Sequence, residues 1–600
     1  MILASLFRRL ARARRARRLL AQAQARLEEG KVQEALPLLQ QAVAANESDP
    51  ASRLTLGEAQ LVAGAARAAA EQLQQCLALL DRGDTRRVRA LLLLADALRD
   101  AGEPVRAEEA YAEVLASEPA NARALLESAM QRFNASDIPA ARELMDRHIA
   151  VRRESAAARL RRAALLPAIV SSIAEIDEVV ARFECDLETT EDGRLESIAD
   201  PAAEIGLLPF FLAYYDRECL GPMQRYYRTC SRFYRPPGAP TQRRPGDRIR
   251  VGFVSTFFYA HSIGRTTFGL IADLPREHFE VIVFSIAPHD DPWSQAIARH
   301  CDQYVVLPTR LEAVREAIAA AAVDVLFFAD IGMHPLTHFL AYARLAPLQL
   351  TTWGHPVTTG IATMDYFVSH EALEGVGAQA HYSEKLLRLP AFLMPRYQKS
   401  ELAHPRSRRE QGLPEDRHLY VCPQTLFKLH PDFDIALGQI LERDPHGEVI
   451  LLEGHPRWAE LLRQRFRGTL AAVDGRVRFV PQRKHHEFLH LLAAADVVLD
   501  PFHFGGNNSS CEALGLAVPV VTLPAERAAG RFTQALYQEM SFAECIATSS
   551  EDYVRLAVEL GTEPERREAV SREIRARNDC LFQRTDSARA LGEALLQIVR

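Results

Sequence analysis

From residue 248 to its end the chain alternates short β-rich apolar runs with helical segments, and it does so in two separate series. The first series is Arg248–Ser255, Phe279–Ser285, Tyr304–Leu307 and Val323–Ala329. The second starts near His418 with HLYVCPQ and continues through GEVILLE, VRFVPQ, DVVLDPF and PVVTLP. Runs that are apolar throughout, rather than alternating, belong to strands covered on both faces of a parallel sheet. Two series predict two Rossmann-like lobes, over residues 248–400 and 401–600. Ligands of such sheets sit beyond the carboxyl ends of the strands, so the cleft between the lobes is the expected site.

A longer period governs the first quarter of the chain. Gly30, Gly64, Gly102 and Ser136 recur at spacings of 34, 38 and 34 residues, and Ala35, Ala69, Ala107 and Ala141 each follow five residues later. A small residue lets the chain reverse, and an alanine lets two helices approach closely. Ala42 and Cys76 keep the same small-residue role twelve positions after the first two glycines. This pattern resembles the tetratricopeptide repeat, so residues 19–155 are expected to form an α-solenoid with a groove for an extended partner. Residues 156–247 read as a helical bridge followed by a linker. Within the bridge, Leu207–Tyr215 (LLPFFLAYY) reads as a core helix packing the repeats onto the next domain. The linker, residues 235–246, holds four prolines and two glycines, which excludes a helix or a central strand there.

Composition narrows the functional classes. The formal net charge of −6 offers no overall basic field for nucleic acid. No apolar run reaches 18 residues, so no spanning helix is expected. The nine cysteines are dispersed and include no Cys-x-x-Cys, which fits reduced thiols in a cytoplasm better than a disulfide framework or a structural zinc site. Residues 1–18 depart from the average, with seven arginines and no acid. The charges follow a short apolar stretch instead of preceding a long one, which excludes a secretory signal. A basic helix of this kind suits an anionic lipid surface or a partner, and its plainer reading is a solvated first helix.

Four segments carry candidate chemistry. In Asp500–Leu514 (DPFHFGGNNSSCEAL) a strand ends, Gly505 and Gly506 turn the chain, and Asn507–Ser510 open a helix. Free N–H groups and the dipole at such a helix start attract a diphosphate, and Glu512 in the first turn can accept from two ribose hydroxyls. The plainer reading is a simple turn with an acid on the helix dipole. In CPQTLFKLHP (422–431), Lys428 stands at a strand-to-helix connection, where it can neutralise a departing phosphate. Asp432 and Asp434 just beyond it read as a helix cap and a first-turn acid, in preference to a metal pair. His261, in the loop after the first strand, can handle a proton near neutral pH. His486-Glu-Phe-Leu-His490 matches the zinc-protease pattern literally, but it sits on a short crossover segment between two strands and reads as a coincidence.

Taken together, these segments resemble glycosyltransferase family 41, the O-linked N-acetylglucosamine transferase and SPINDLY-like group. The resemblance covers residues 248–600 and is carried by HSIGR (261–265), APLQLTTWGHPVTTGIATMDYF (346–367), HYSEKLLRLP (381–390), TLFKLHP (425–431) and DPFHFGGNNSSCEALGLAVPVVTLP (500–524). It implies a GT-B fold of two Rossmann-like lobes and an inverting reaction that uses a UDP-sugar, no metal and no separate cofactor. Lys428 falls at the lysine that stabilises the leaving diphosphate. Asn507, Asn508 and Ser509 fall at the diphosphate-binding helix start, and Glu512 at the residue that holds the ribose. His261 falls at a histidine proposed as base. His355 and Thr359 fall in the loop lining the sugar and acceptor region, and Gln424 and Thr425 near a glutamine that touches the nucleotide. Phe488 takes the place of a histidine that stacks on uracil. Here the helix start is Asn-Asn-Ser where vertebrate-type members have His-Thr-Thr, and the long insert between lobes of animal members is missing. The expected function is transfer of N-acetylglucosamine or another hexose to a protein side chain, with the acceptor held partly by the repeats. The alternative is a repeat adaptor whose GT-B half binds nucleotide but turns over weakly.

Overall fold

The computed structural model describes residues 2–236, 248–391, 394 and 396–599. The chain divides into two compact units, Met1–Arg153 and Glu154–Arg600. The proline-rich linker, residues 235–246, lies almost wholly outside the described residues.

The first unit is four antiparallel helix pairs. They are Ile2–Glu28 with Val32–Ala45, Pro50–Val62 with Ala66–Ala78, Arg86–Asp100 with Pro104–Ser117, and Ala122–Asn134 with Ile138–Val151. The periodic small residues do the work assigned to them. Gly30, Gly64, Gly102 and Ser136 all take positive φ, between 57° and 81°, at the reversal inside each pair. Ala35, Ala69, Ala107 and Ala141 are fully buried where the helices meet, as are Ala42 and Cys76. The arginine-rich start is not a separate segment, because Ile2–Glu28 runs through it as one helix. Ala16 is buried on that helix, while Arg12, Arg14, Arg15, Arg17 and Arg18 are exposed.

The second unit holds two parallel sheets. The first contains β1 (Ile249–Ser255), β2 (Phe279–Ile286), β3 (Gln303–Leu307), β4 (Val325–Phe328), β5 (Leu348–Thr352), β6 (Tyr366–His370) and β7 (Lys385–Leu389), in the order β3-β2-β1-β4-β5-β6-β7. The second contains β8 (His418–Cys422), β9 (Gly447–Glu453), β10 (Val477–Pro481), β11 (Val497–Leu499) and β12 (Val520–Val521), in the order β10-β9-β8-β11-β12. Registers such as Val251 opposite Val281 and Val325, and Tyr420 opposite Val449 and Val497, line up the β-branched and aromatic residues seen in the sequence. Strands β5 to β7 escape a reading based on apolar runs. β5 carries Gln349, Thr351 and Thr352, yet Gln349 is fully buried because its amide accepts from Leu345 N–H at 2.8 Å and donates to Thr363 O at 3.0 Å.

The helices after the repeats form no free-standing bridge. Ala156–Ala163, Ile173–Glu191 and Leu220–Phe233 share one apolar core with the back of the first sheet, including Phe183, Tyr226, Ile282, Phe284, Leu326 and Phe328. The last helix, Asp586–Ile598, returns from the second lobe to pack against Ser262–Asp273 and β7 of the first. In both sheets the strand order reverses beside the first-formed strand, between β1 and β4 and between β8 and β11. Those two reversals open crevices at the carboxyl ends, and the loops that leave them face the cleft.

Candidate active site

Two loops of the second lobe build one wall of the cleft. After β8, Pro423–Thr425 lead into a 3-10 turn, Leu426–Lys428, and then the helix Pro431–Arg443. After β11, Asp500 precedes the Gly505–Gly506 turn and the helix Asn508–Gly515. Buried Asp500 fixes that turn, accepting from Gly506 N–H at 2.6 Å and Thr522 Oγ1 at 2.8 Å. Gly506 has no room for a side chain, since a Cβ there would run into Gln424, Ser509 and Ser510.

Lys428 ties the two loops together. Its Nζ donates to Gln424 Oε1 at 2.9 Å and to Gly505 O at 3.0 Å, and it sits 4.7 Å from the centre of the Phe504 ring. Gln424 in turn donates to Ser509 Oγ at the helix start. Burial lowers the Lys428 pKa to about 8, with the Asp500 carboxylate opposing that shift. The ammonium is therefore retained at neutral pH, in a place where burial makes a new anion welcome. Around it, Asn507 Oδ1 and Asn508 Oδ1 are buried with no hydrogen-bond partner. The helix start adds N–H groups that no earlier turn can satisfy.

Glu512 is 5% exposed at the other end of the cleft. Its Oε1 is met by His485 Nε2 at 2.7 Å, Tyr397 OH at 3.4 Å and Arg265 Nη1 at 3.6 Å. These partners come from the second lobe, the crossover and the first lobe, so one carboxylate is where all three meet.

The cleft encloses about 470 Å³. Eight of the expected residues line it: Gln424, Thr425, Lys428, Phe488, Asn507, Asn508, Ser509 and Glu512. Three do not. His261 caps the helix Ser262–Asp273, its Nδ1 accepting from Ile263 N–H at 3.2 Å, and stacks on Phe257 at 4.5 Å. With Nδ1 occupied, the neutral ring carries its proton on Nε2. Burial, followed by the Arg265 charge, pulls its pKa down. His355 turns away from the cleft, stacking on Phe210 at 5.0 Å, and burial lowers its pKa to about 4. Thr359 is buried, with its N–H at 2.9 Å and its hydroxyl both donating to Glu384. It is Trp353, Gly354 and Pro356 of the same loop that face the cleft.

Sequence reasoning missed several wall residues. Arg265 and Phe504 lie inside the motifs that carry the resemblance, but spacing alone gives neither a role. Tyr214 was hidden in the apolar stretch read as a core helix. That stretch is instead a 3-10 turn, Phe210–Tyr214. Leu212 and Tyr215 are buried, but Phe210, Phe211 and Tyr214 are only half-buried, and Tyr214 lines the cleft.

The acids after Lys428 are both in the first turn, and the cap is His430, whose Nδ1 accepts from Asp432 N–H at 3.3 Å. Asp434 is wholly buried against Arg465, with two bonds of 2.8 Å. Among the described residues, one group could offer three metal-ligand atoms within 4.8 Å of one another: His430, Asp432 and His503. Two of its members already pair, with His503 Nε2 2.9 Å from Asp432 Oδ2, and His503 Nδ1 also lies 3.3 Å from Asp216 Oδ2 outside the group. In the His-Glu-x-x-His segment, His490 Nδ1 accepts from Arg406 N–H at 3.2 Å, on a helix that crosses from β10 to β11.

Two parallel sheets with a cleft between their carboxyl ends define a GT-B fold. The model for glycosyl transferase family 41 matches residues 233–404 and 398–589, and the chain belongs to that family. It is 29% identical over 358 residues to a probable UDP-N-acetylglucosamine–peptide N-acetylglucosaminyltransferase SEC of Arabidopsis thaliana, covering 57% of this chain and 36% of that one. It is 28% identical over 366 residues to a UDP-glucose:protein N-beta-glucosyltransferase of Actinobacillus pleuropneumoniae serotype 5b (strain L20), covering 58% of this chain and 56% of that one. The matches thus span about a third to just over half the length of these curated relatives. A solved structure of a Thermobaculum terrenum O-GlcNAc transferase mutant shares the fold, with a TM-score of 0.67 at 21% identity, over 87% of this chain and 99% of that one.

Proposed function

We propose that this chain is an inverting, metal-independent glycosyltransferase that moves a hexose, glucose or N-acetylglucosamine, from a UDP-sugar to a side chain of a protein. The observation that carries the reading is the position of the Lys428 ammonium, held against Gly505 O and linked through Gln424 to the start of the helix Asn508–Gly515. A diphosphate seated on that helix start meets N–H groups, the helix dipole and one ammonium together. In a single displacement the acceptor atom forms a bond to the anomeric carbon as the bond from that carbon to the diphosphate oxygen breaks. The acceptor's proton passes to the departing diphosphate or to water, and UDP leaves with the bond's electron pair. Lys428 stabilises the charge that grows on the leaving oxygen, which is the role a divalent ion fills in other transferases. Glu512 accepts from the ribose, and the half-buried Phe488 ring stacks on the base.

The names of the relatives support a UDP-sugar donor and a polypeptide acceptor. The repeat unit supports an extended polypeptide over a small acceptor, because stacked helix pairs present a groove suited to one. The exposed arginines of the first helix suit an acidic partner surface. No helix among the described residues is long and apolar enough to cross a membrane. The cysteines are all free thiols, which fits a cytoplasmic setting.

Donor turnover in a chelator tests the chemistry. Wild-type protein is expected to release UDP from UDP-glucose or UDP-N-acetylglucosamine at the same rate with and without EDTA. A rate abolished by EDTA and restored by magnesium would contradict the lysine-based mechanism.

A further inference from the structure

Beyond the residues placed at the nucleotide, the second unit carries a band of aromatic rings. Tyr214, Phe427 and Trp458 form a run of half-buried rings that starts in the cleft. Tyr214 stacks on Phe504 at 4.4 Å, the ring beside which Lys428 Nζ sits, and meets Phe427 at 4.6 Å. Phe427 meets Trp458 edge-on at 5.5 Å, and Trp458 lies 5.1 Å from His455. Three separate segments supply the rings: the 3-10 turn Phe210–Tyr214, the turn Leu426–Lys428 and the helix Pro456–Thr469. Rings brought together from distant parts of a chain normally close into a core. Here Phe427 and Trp458 pack against the core on one side, and all three rings stay partly exposed. Tyrosine and tryptophan in such a setting are the residue types that anchor binding partners.

Their place relative to the nucleotide groups identifies the occupant. Glu512, His485 and Phe488 mark the nucleoside end of the cleft, and Lys428 marks the leaving oxygen. The ring run begins at the Lys428 end, which is where an acceptor must arrive. It ends at Trp458, which does not line the cleft. We propose that Tyr214, Phe427 and Trp458 form the acceptor subsite, binding an extended polypeptide with a large apolar or aromatic side chain close to the modified residue. This inference rests on the transferase reading. The run is at most ~10 Å long, enough for about three residues of extended chain. The preferred side chain therefore falls within about three positions of the acceptor residue. Continuity with the cleft distinguishes this band from a surface that would cover a second protein domain.

The test uses full-length protein, UDP-glucose and UDP-N-acetylglucosamine as donors, and a library of short peptides with one central Ser, Thr or Asn and randomised flanks. Products are read by mass. Wild type should enrich Phe, Tyr, Trp or Leu near the modified residue. Trp458→Ala should erase that enrichment and raise KM for an enriched peptide by about tenfold or more, leaving kcat, donor KM and donor hydrolysis within about twofold. Trp458→Phe, which keeps a ring, should restore the preference and so separates recognition from folding. An unchanged peptide profile in Trp458→Ala would overturn the inference. So would a raised donor KM in that variant, because it would assign the rings to the sugar donor. Wild-type protein that hydrolyses donor but modifies no peptide would also overturn it. Wild-type protein that neither binds nor hydrolyses either donor would instead overturn the transferase reading beneath it.

Discussion

In the proposed reaction Lys428 carries the chemistry, and its environment makes a pH prediction. Burial lowers its pKa to about 8, so the ammonium present below that pH is lost above it. kcat/KM, which reports the free protein, should therefore fall as pH rises through about 8. Bound diphosphate favours the charged form, so the fall in kcat should lie at higher pH. Rate profiles over pH 6–10 check both, and a kcat/KM that keeps rising to pH 10 would count against the ammonium. Glu512 makes a separate prediction. Glu512→Ala removes a charged acceptor for the ribose, which should weaken UDP binding by roughly tenfold or more in a calorimetric titration. At this scale the residues named from sequence lie in the cleft where residue type and local geometry coincide, as at Lys428, Asn508 and Glu512. His355 and Thr359 do not line it. Their loop lines the cleft, but nothing local says which side chains of a loop turn inward. Thr359 does so because Glu384, twenty-five positions away, is buried beneath it.

At the scale of elements, the cleft depends on two strand-to-helix connections being held rigid at their strand ends. Asp500 holds one through Gly506 N–H, and Gln424 bridges it to the other. Gly506→Ala would push a methyl group into Gln424, Ser509 and Ser510, and so break that bridge. UDP affinity should fall by at least about tenfold with little change in the far-UV circular dichroism spectrum; an unaltered affinity would show that the bridge does not shape the site. The long apolar strands and the repeat helices were legible because burial imposes a period or a run on their sequences. β5 was not, because Gln349 and Thr351 are buried with their side chains bonded to backbone carbonyls of Thr363 and Phe328, far along the chain. The turn Phe210–Tyr214 was misread for a related reason. Apolar composition signals burial, but it does not distinguish a ring packed in a core from one on the wall of a cleft.

For the whole molecule, the second unit is built so that residues from both lobes and the crossover converge on one carboxylate. Arg265, Tyr397 and His485 meet at Glu512, and Asp586–Ile598 returns to the first lobe. A donor held at Glu512, as proposed, would engage both lobes together. The repeats are a compact unit of their own, which fits the polypeptide acceptor proposed for this chain. In the proposed reaction Lys428 drives transfer of a sugar to protein. Intact-mass analysis of cellular proteins co-expressed with wild type and with Lys428→Ala tests it most directly. Wild type should add a hexose or N-acetylhexosamine mass to at least one protein. Lys428→Ala, folded and still binding UDP, should lower that modification by roughly 10²- to 10³-fold. Equal modification by the two proteins would contradict the account.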